Sequence, residues 1–293
     1  MIRSQVVLSV LVLALSEVHS QAADPSTIDW HAMGSSPCGW SIPVQKPDQS
    51  LDVDRTVGLL KEDGFTCAVA VIAEQPPRSW NEFQKLAAAV NAANIDLWPV
   101  LLPPTEGISQ PYGHDYVAWA EALAKLSLQY PHLRGINIDD LEVNANRKMF
   151  TRDYVCRIYQ AKQKINPRLQ FVPTVYDLDR NAADQLAGCV DGVWLWWVNL
   201  EMATGQSSFL ENSKLAVAGR FPVYGGVYAH WTSWHKEGNP VPKVFTKTLE
   251  QSCEYSNGAM IWNISLEPSD PLLKIAKTFL PGGSSPLAGK CGR

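Results

Sequence analysis

The chain has 293 residues, of which 46% are hydrophobic and 18% are charged, and its 25 basic and 29 acidic residues give a net charge of −4. This is the composition of a globular protein with one large core, and it excludes wholesale disorder and fibrous repeats. Because nucleic acids and anionic membranes favour a basic surface, the charge balance argues against both as partners.

The N-terminus predicts export. Residues 1–22 begin with Arg3, continue through an apolar run from Val6 to Leu15 and end in small residues at Ala22. This order is typical of a secretory signal peptide, and the run is about half of the ~20 residues that a membrane span needs. We therefore expect a secreted or periplasmic protein that is free of the membrane after cleavage of the leader.

The cysteine pattern is compatible with export. An even number of cysteines in an exported chain allows up to three disulfides, although some of them could instead be small buried hydrophobic residues. None lies in a Cys-x-x-Cys pair, so the usual sequence signal of a zinc site is missing. The six residues are Cys38, Cys67, Cys156, Cys189, Cys253 and Cys291.

Eight short apolar runs predict strands. Most are nearly continuous and rich in branched or aromatic residues, as expected of strands that are buried on both faces. In chain order the runs are Ile28–Met33, Phe65–Ala73, Ile95–Leu102, Leu133–Asp139, Leu169–Tyr176, Val190–Trp197, Phe221–Ala229 and Gly258–Ser265.

The segments between these runs have helical patterns. Ser79 and Glu82 form a capping box, Thr151 can cap the helix that follows it, and Pro242 suits the first turn of another helix. The predicted helices cover about 53–63, 80–93, 116–130, 152–165, 180–186, 208–218, 242–255 and 269–280.

Alternating strands and helices predict a parallel sheet, since each crossover helix covers an apolar face of the sheet. About 250 residues is the usual size of a closed (β/α)₈ barrel. The alternative, an open doubly wound sheet, usually has a Gly-x-Gly-x-x-Gly turn, which is absent here. We predict a single (β/α)₈ TIM barrel over residues 23–280, followed by an irregular tail over 281–293.

The end of the fourth strand has the sharpest chemical signal. Period-two alternation points Asn137 and Asp139 into the barrel, where an aspartate is costly to ionise unless it is paired. Asp140 and Glu142 follow, so three carboxyls lie within four residues, and such crowding raises the pKa of one member. We predict that Asp139, Asp140 and Glu142 are catalytic, together with Asp177 after the next strand. The alternative is a solvent-facing loop that caps a helix.

Substrate-binding candidates lie at the other strand ends, because barrel active sites form at the carboxyl ends of the strands. Six of the eleven tryptophans lie in or just after the last three strands, where indoles could stack on sugar rings. Core packing is the alternative for Trp194 and Trp196, and N-glycosylation is the alternative for Asn263. The predicted substrate-binding residues are Glu74, Tyr176, Trp196, Trp197, Tyr228, His230, Trp231, Trp262 and Asn263. The strand ends also carry His31, Glu106, Trp234 and Glu267.

An exported barrel with these acids and tryptophans resembles the TIM-barrel glycoside hydrolases. The run Ile138-Asp139-Asp140 is similar to the fourth-strand end of α-galactosidase-like barrels, in which an aspartate is the nucleophile, but Val193–Val198 lacks their sixth-strand acid. Chitinase-type barrels have Asp-x-x-Asp-x-Asp-x-Glu at this place, and here Leu141 replaces one of the acids. The resemblance implies cleavage of oligo- or polysaccharides by two carboxyl groups.

On this interpretation Asp139 or Asp140 is one catalytic carboxyl, and the second comes from Asp177, Glu142, Glu74 or Glu267. We expect a monomer with a carbohydrate substrate, no cofactor and no metal. The alternatives are a barrel that binds carbohydrate without cleaving it, and a divalent-metal hydrolase or lyase. The metal alternative would use Asp139, Asp177, His230 and Glu74. No Gly-x-Ser-x-Gly motif supports a serine esterase.

Overall fold

The computed structural model describes residues 36–41, 43–143, 145–197, 203, 205–230 and 241–291. Within these ranges nine strands pair in parallel in the order β5-β4-β3-β2-β1-β9-β8-β7-β6. They are β1 (Cys38–Ser41), β2 (Cys67–Ile72), β3 (Asp96–Leu101), β4 (Gly135–Ile138), β5 (Gln170–Phe171), β6 (Thr174–Val175), β7 (Val193–Leu195), β8 (Val223–Tyr228) and β9 (Ala259–Ile264).

The sheet closes into an eight-position barrel because β5 and β6 are two parts of one interrupted strand. The Val172 N–H donates to the carbonyl of Ile136 at 2.9 Å, and the carbonyl of Pro173 accepts from the Trp194 N–H at 2.9 Å. The backbone at 172–173 therefore bridges β4 and β7, and β1 pairs with β9 on the far side. The predicted (β/α)₈ barrel is confirmed.

The first strand lies ten residues later than predicted. Cys38–Ser41 pairs with both β2 and β9 and so occupies the closing position, whereas the predicted run Ile28–Met33 lies outside the described residues. The prediction of the first strand was therefore wrong. The shorter run was missed because Gly39 interrupts its apolar pattern, although Cys38 and Trp40 both point into the barrel.

Nine helices follow the strands in the described part of the chain. Ser79 Oγ accepts from the Glu82 N–H, and Thr151 Oγ1 accepts from the Tyr154 N–H, so both predicted N-caps form. The capping box is not completed, because the Glu82 carboxylate accepts from the Leu51 N–H and from Lys85 instead. The helices are α1 (Val53–Glu62), α2 (Trp80–Ala92), α3 (Tyr116–Gln129), α4 (Asn146–Met149), α5 (Arg152–Ile165), α6 (Arg180–Leu186), α7 (Gln206–Val217), α8 (Pro242–Tyr255) and α9 (Pro271–Phe279).

The core has two layers. Ile136 and Ile138 of β4 belong to the outer layer between barrel and helices, as their alternation predicted. The barrel interior is filled mainly by large aromatic side chains, and glycine makes room for them. A Cβ at Gly226 would lie 2.2 Å from the indole of Trp196. The interior layer includes Trp40, Val69, Trp98, Val100, Val172, Trp194, Trp196, Trp197, Tyr224, Tyr228 and Met260.

Three disulfides connect distant parts of the fold. Cys38–Cys67 joins β1 to β2, Cys156–Cys189 joins α5 to the segment after α6, and Cys253–Cys291 fastens the C-terminal tail to α8. Bridges of this kind typically stabilise a domain by about 2–4 kcal/mol each and persist in oxidising compartments. They are compatible with an extracellular protein. In the part of the chain that the structure describes, no helix has the length and apolarity to cross a bilayer.

Candidate active site

Three carboxyl groups meet at the mouth of the barrel. Glu106 lies in the loop after β3, and Asp139 and Asp140 follow β4 directly; one oxygen of each side chain lies within 4.8 Å of the others. β3 and β4 are paired neighbours in register Leu101 to Ile138, so the loops that leave them start side by side. We call Glu106, Asp139 and Asp140 the acid cluster.

The backbone around the acid cluster is held in an uncommon conformation. Asp140 has a φ of +44°, in the left-handed region that an L-residue adopts at some cost in energy. The buried Asn146 donates from Nδ2 to the carbonyl of Asp140 and to Thr105 Oγ1, each at 2.8 Å. This amide ties the loop that bears Glu106 to the backbone of Asp140, so it holds the two acids at a short separation.

The electrostatics of the acid cluster favour protonation. Burial of its carboxyl, the negative charge of Asp140 and a hydrogen bond with Asp140 raise the pKa of Glu106 to about 7. Burial raises the pKa of Asp139 as well, and the charges of Asp140 and Glu106 add to the effect. A hydrogen bond from Thr174 opposes the shift at Asp139. Near neutral pH the cluster therefore keeps at least one proton.

Two tyrosines complete the polar surface of the acid cluster. The Tyr176 hydroxyl forms hydrogen bonds with Asp140 and with the Tyr228 hydroxyl. Tyr228 is buried, and the negative charge of Asp139 acts on it. Burial first, and then the neighbouring ionisable groups, raise the pKa of both phenols, so both stay protonated and can donate hydrogen bonds at any physiological pH.

Glu142 and Asp177 lie beside the acid cluster rather than in it. Oε1 of Glu142 accepts hydrogen bonds from the backbone N–H groups of Tyr176 and Asp177, both at 2.6 Å. Burial raises the pKa of Glu142, while these two N–H donors oppose the shift. Glu142 thus holds the segment that presents the Tyr176 hydroxyl to Asp140, and the Asp177 side chain is exposed.

The remaining predicted polar residues lie at the rim. Glu74 and Glu267 are exposed after β2 and β9, and His230 Nε2 lies 2.7 Å from Asp270 Oδ2. Asn263 is half-buried within β9 with a φ of +56°, where the register with β1 shifts. Across the described ranges, the group of ligating side chains close enough to share a metal is the acid cluster. The structure therefore does not assemble the set predicted for the metal alternative.

The predicted aromatic residues fall into two groups. Trp196 and Trp197 are buried in the barrel interior, with exposures of 2% and 1%, so neither indole offers a face to a ligand. We correct these two predictions to a packing role. Trp262 is half-buried and makes ring contacts with Trp40 and Tyr228 at centroid distances of 6.3 and 5.7 Å. The predictions for His31, Trp231 and Trp234 lie outside the described residues.

Glu106 is the residue whose importance the sequence did not reveal. It stands among the polar residues at the strand ends, but nothing in Pro103-Pro104-Thr105-Glu106 marks it above Glu74 or Glu267. The available signal was positional, because Glu106 follows the strand that must pair with the Asp139 strand in a barrel.

Comparisons with known proteins give a likeness in fold. No protein-family model matches the chain, and no curated protein matches it. A GH113 beta-1,4-mannanase superposes with a TM-score of 0.58 at 10% identity, covering 82% of this chain and 92% of that one. A GH27 β-L-arabinopyranosidase from Geobacillus stearothermophilus gives 0.58 at 10% identity, covering 85% and 76%.

A third solved structure extends the same likeness. A GH99 endo-alpha-mannosidase from Bacteroides thetaiotaomicron superposes with a TM-score of 0.53 at 9% identity, covering 76% of this chain and 77% of that one. All three neighbours carry glycoside hydrolase names, and identities this low show fold alone. The chain thus has the TIM-barrel fold of glycoside hydrolases, and the resemblance stated from its sequence is confirmed at that level.

Proposed function

We propose that this protein is an exported glycoside hydrolase that cleaves oligo- or polysaccharides with two carboxyl groups. The observation that carries the proposal is the acid cluster, in which Glu106, whose pKa is raised to about 7, lies beside the carboxyl group of Asp140. Glycosidic cleavage needs two such groups, one to protonate the leaving oxygen and one to act as a carboxylate at the sugar carbon. The cluster lies at the mouth, where barrel enzymes place their chemistry.

We assign Glu106 as the general acid and Asp140 as the nucleophile. Glu106 donates its proton to the glycosidic oxygen while Asp140 attacks the anomeric carbon and forms a glycosyl-enzyme ester. Glu106 then removes a proton from the water that hydrolyses this ester. The nearest oxygens of the cluster lie within 4.8 Å of one another, which fits the about 5–5.5 Å separation of retaining enzymes better than the about 6.5–9.5 Å that an intervening water requires. The proposal therefore includes retention of configuration.

Neighbouring side chains support these roles. The Tyr176 hydroxyl donates a hydrogen bond to Asp140 and aligns its carboxylate for attack. In this proposal Trp262 and Asn263, both half-buried at the end of β9, contact the sugar, and Trp231 remains a predicted contact. No step in this scheme needs a cofactor.

The direct test is hydrolysis of a panel of oligo- and polysaccharides by the wild-type protein and by Glu106→Gln. We expect turnover by the wild type, its loss in Glu106→Gln, and a first product with the anomeric configuration of the substrate. Glu211→Gln, on the exposed face of α7, is the matched control. Reducing-sugar release by Glu106→Gln at the wild-type rate would remove Glu106 from the mechanism, and binding without turnover by the wild type would support the non-catalytic alternative.

One observation favours a second candidate function, a metal-dependent hydrolase. Three carboxylate oxygens within 4.8 Å of one another suit a hard divalent cation. A bound cation would keep all three groups ionised, so Glu106 could not donate a proton and the two functions exclude each other. Activity that is lost in EDTA and restored by a divalent ion would establish the second candidate in place of the first.

A further inference from the structure

A cavity of about 360 Å³ lies beside the acid cluster, between the first turn of α5 and one side of α6. Both helices begin at the mouth end of the barrel, because each follows a strand that ends there. The floor of the cavity is apolar and includes the buried side chains of Leu141, Phe150, Val155 and Leu186. Its size falls within the about 300–1,000 Å³ of small-molecule sites. We call it the rim cavity.

The walls of the rim cavity are fixed by hydrogen bonds within the protein. Arg152 donates to the backbone carbonyls of Asp184, Gln185 and Ala187 at the end of α6. Asp179 accepts from the Ala182 N–H at the start of the same helix. These contacts hold the two helices in place, so the cavity is formed before any ligand arrives.

Other polar groups of the walls are free to bind a ligand. Asp177, Asn181 and Gln185 line the cavity and are exposed, and their side chains form no hydrogen bond with another described residue. Arg147 uses only its Nε, in a bond to the carbonyl of Glu142. The free groups therefore include a carboxylate, two amides and the terminal nitrogens of a guanidinium, above an apolar floor.

This set of groups fits a neutral polyhydroxylated ring. An anionic ligand would approach Arg147 and Arg152, but it would also meet Asp177 and Asp179 on the same walls. Hydroxyl groups both donate and accept, so they can satisfy the carboxylate, the amides and the guanidinium together. The C–H surface of a sugar would cover Phe150 and the neighbouring aliphatic side chains.

The rim cavity and the acid cluster share a wall. Leu141 and Glu142 line the cavity and directly follow Asp140, while Asp177 directly follows Tyr176, whose hydroxyl contacts Asp140. Glu142 accepts hydrogen bonds from the N–H groups of Tyr176 and Asp177, and so connects the segment after β4 with the segment after β6 in this wall. A linear substrate that crosses the wall would place one sugar unit at the acids and another in the cavity.

We propose that the rim cavity is a binding subsite for a neutral sugar unit distant from the scissile bond, so that the protein acts on chains longer than a disaccharide. This inference rests on the proposed glycosidase function and adds the substrate class. The residues that carry it are Asn181 and Gln185 on α6, Asp177 on the shared wall and Phe150 in the floor.

The test compares substrates of increasing length. kcat/KM is measured on neutral oligosaccharides of two to six units for the wild type and for the double variant Asn181→Ala/Gln185→Ala. Because two hydrogen-bonding side chains are lost, we expect about a tenfold fall in kcat/KM on the hexasaccharide, mainly through KM, and no change on the disaccharide. Gln129→Ala, at the exposed end of α3, is the control for both substrates. Equal chain-length profiles for wild type and double variant overturn the subsite.

A binding experiment separates this inference from the proposed function. Calorimetric titration of Glu106→Gln with the hexasaccharide, with and without Asn181→Ala/Gln185→Ala, reports the subsite when no turnover occurs. Weaker binding by the double variant supports the cavity even if the wild type hydrolyses nothing. Equal binding by both proteins, no binding by either, or tighter binding of a uronate oligomer than of the neutral chain contradicts it.

Discussion

The mouth of the barrel and its interior differ in composition, because carboxyl groups cluster at the mouth and tryptophans fill the interior. At the mouth, one oxygen from each of three carboxyl groups lies within 4.8 Å of the others. In the interior just below, Trp98, Trp194 and Trp196 are buried, with exposures of 0 to 2%, and pack against one another and Trp40. The interior is a buried aromatic layer, and the mouth is an acidic surface on top of it.

The two regions also differ in what burial does. At the mouth, ionising a carboxyl is costly where water is removed, and burial is the largest cause of the raised pKa of both Glu106 and Asp139. In the interior, burial packs Trp196 and Trp197, two of the tryptophans that looked like a sugar-binding signal.

The largest expected effect comes from removing the nucleophile at the mouth. Asp140→Gly keeps the left-handed φ that glycine adopts freely and deletes the carboxylate. Turnover should fall by about 10⁴-fold or more, as for loss of a nucleophile in other hydrolases. Sodium azide should restore activity and give a glycosyl azide of inverted configuration, because the small anion attacks from the vacated space. If azide restores activity to Asp139→Asn but not to Asp140→Gly, Asp139 and not Asp140 is the nucleophile.

In the interior the expected effect is on stability. Gly226→Ala places a Cβ 2.2 Å from the Trp196 ring inside a packed layer, and we expect a loss of about 3 kcal/mol in the free energy of unfolding. Gly58→Ala is the matched control, because a Cβ there meets nothing within 4 Å in the middle of α1 and should stabilise by about 0.5–1 kcal/mol. Urea unfolding of both variants measures the difference. Equal stabilities would mean that the interior is loosely packed.

The sequence predicted what local patterns encode. Alternation in β4 placed Ile136 and Ile138 against the helices and turned Asn137 inward, where its Nδ2 donates to the Val172 carbonyl. The caps at Ser79 and Thr151 depend on residues three positions away, so they too can be read from the chain. Eight strands with their helices then leave few folds to choose from.

The candidate site was less predictable because it depends on distances between segments far apart in the chain. Glu106 and Asp140 come into contact because the loops after β3 and β4 converge. The Glu142 carboxylate accepts a hydrogen bond from the backbone N–H of Tyr176, which is 34 residues away. The alternation of residues along the strand predicts that the Trp196 side chain points into the barrel, but it does not predict how deeply that side chain is buried. A side chain near a strand end reaches either the packed layer or the mouth, and only the stagger of the strands decides which.

A smaller effect on activity is expected when the hydrogen bond between Tyr176 and Asp140 is removed. Tyr176→Phe removes the hydroxyl that bonds to Asp140 and leaves the ring in place. A hydrogen bond to a charged group contributes about 1.5–3 kcal/mol, so kcat should fall about tenfold or somewhat more, with little change in KM. Tyr130→Phe, at the end of α3, controls for loss of a phenol. Unchanged kcat in Tyr176→Phe would show that Asp140 needs no alignment.

The smallest effect is a pH dependence of stability that originates at the mouth. The pKa of Glu106 is about 7 in the folded protein, against an ordinary value of 4.5, so the folded state binds more protons than the unfolded state between these values. Stability should therefore decline as the pH rises from about 4.5 through about 7. The urea midpoint should show this slope in the wild type, and Glu106→Gln, which has no proton to lose there, should flatten it. Because the charge of Asp140 and its hydrogen bond help to raise the pKa of Glu106, Asp140→Gly should lower that pKa and move the decline to lower pH. A midpoint that rises over the same interval would mean that Glu106 is ionised in the folded state, as a bound cation would require.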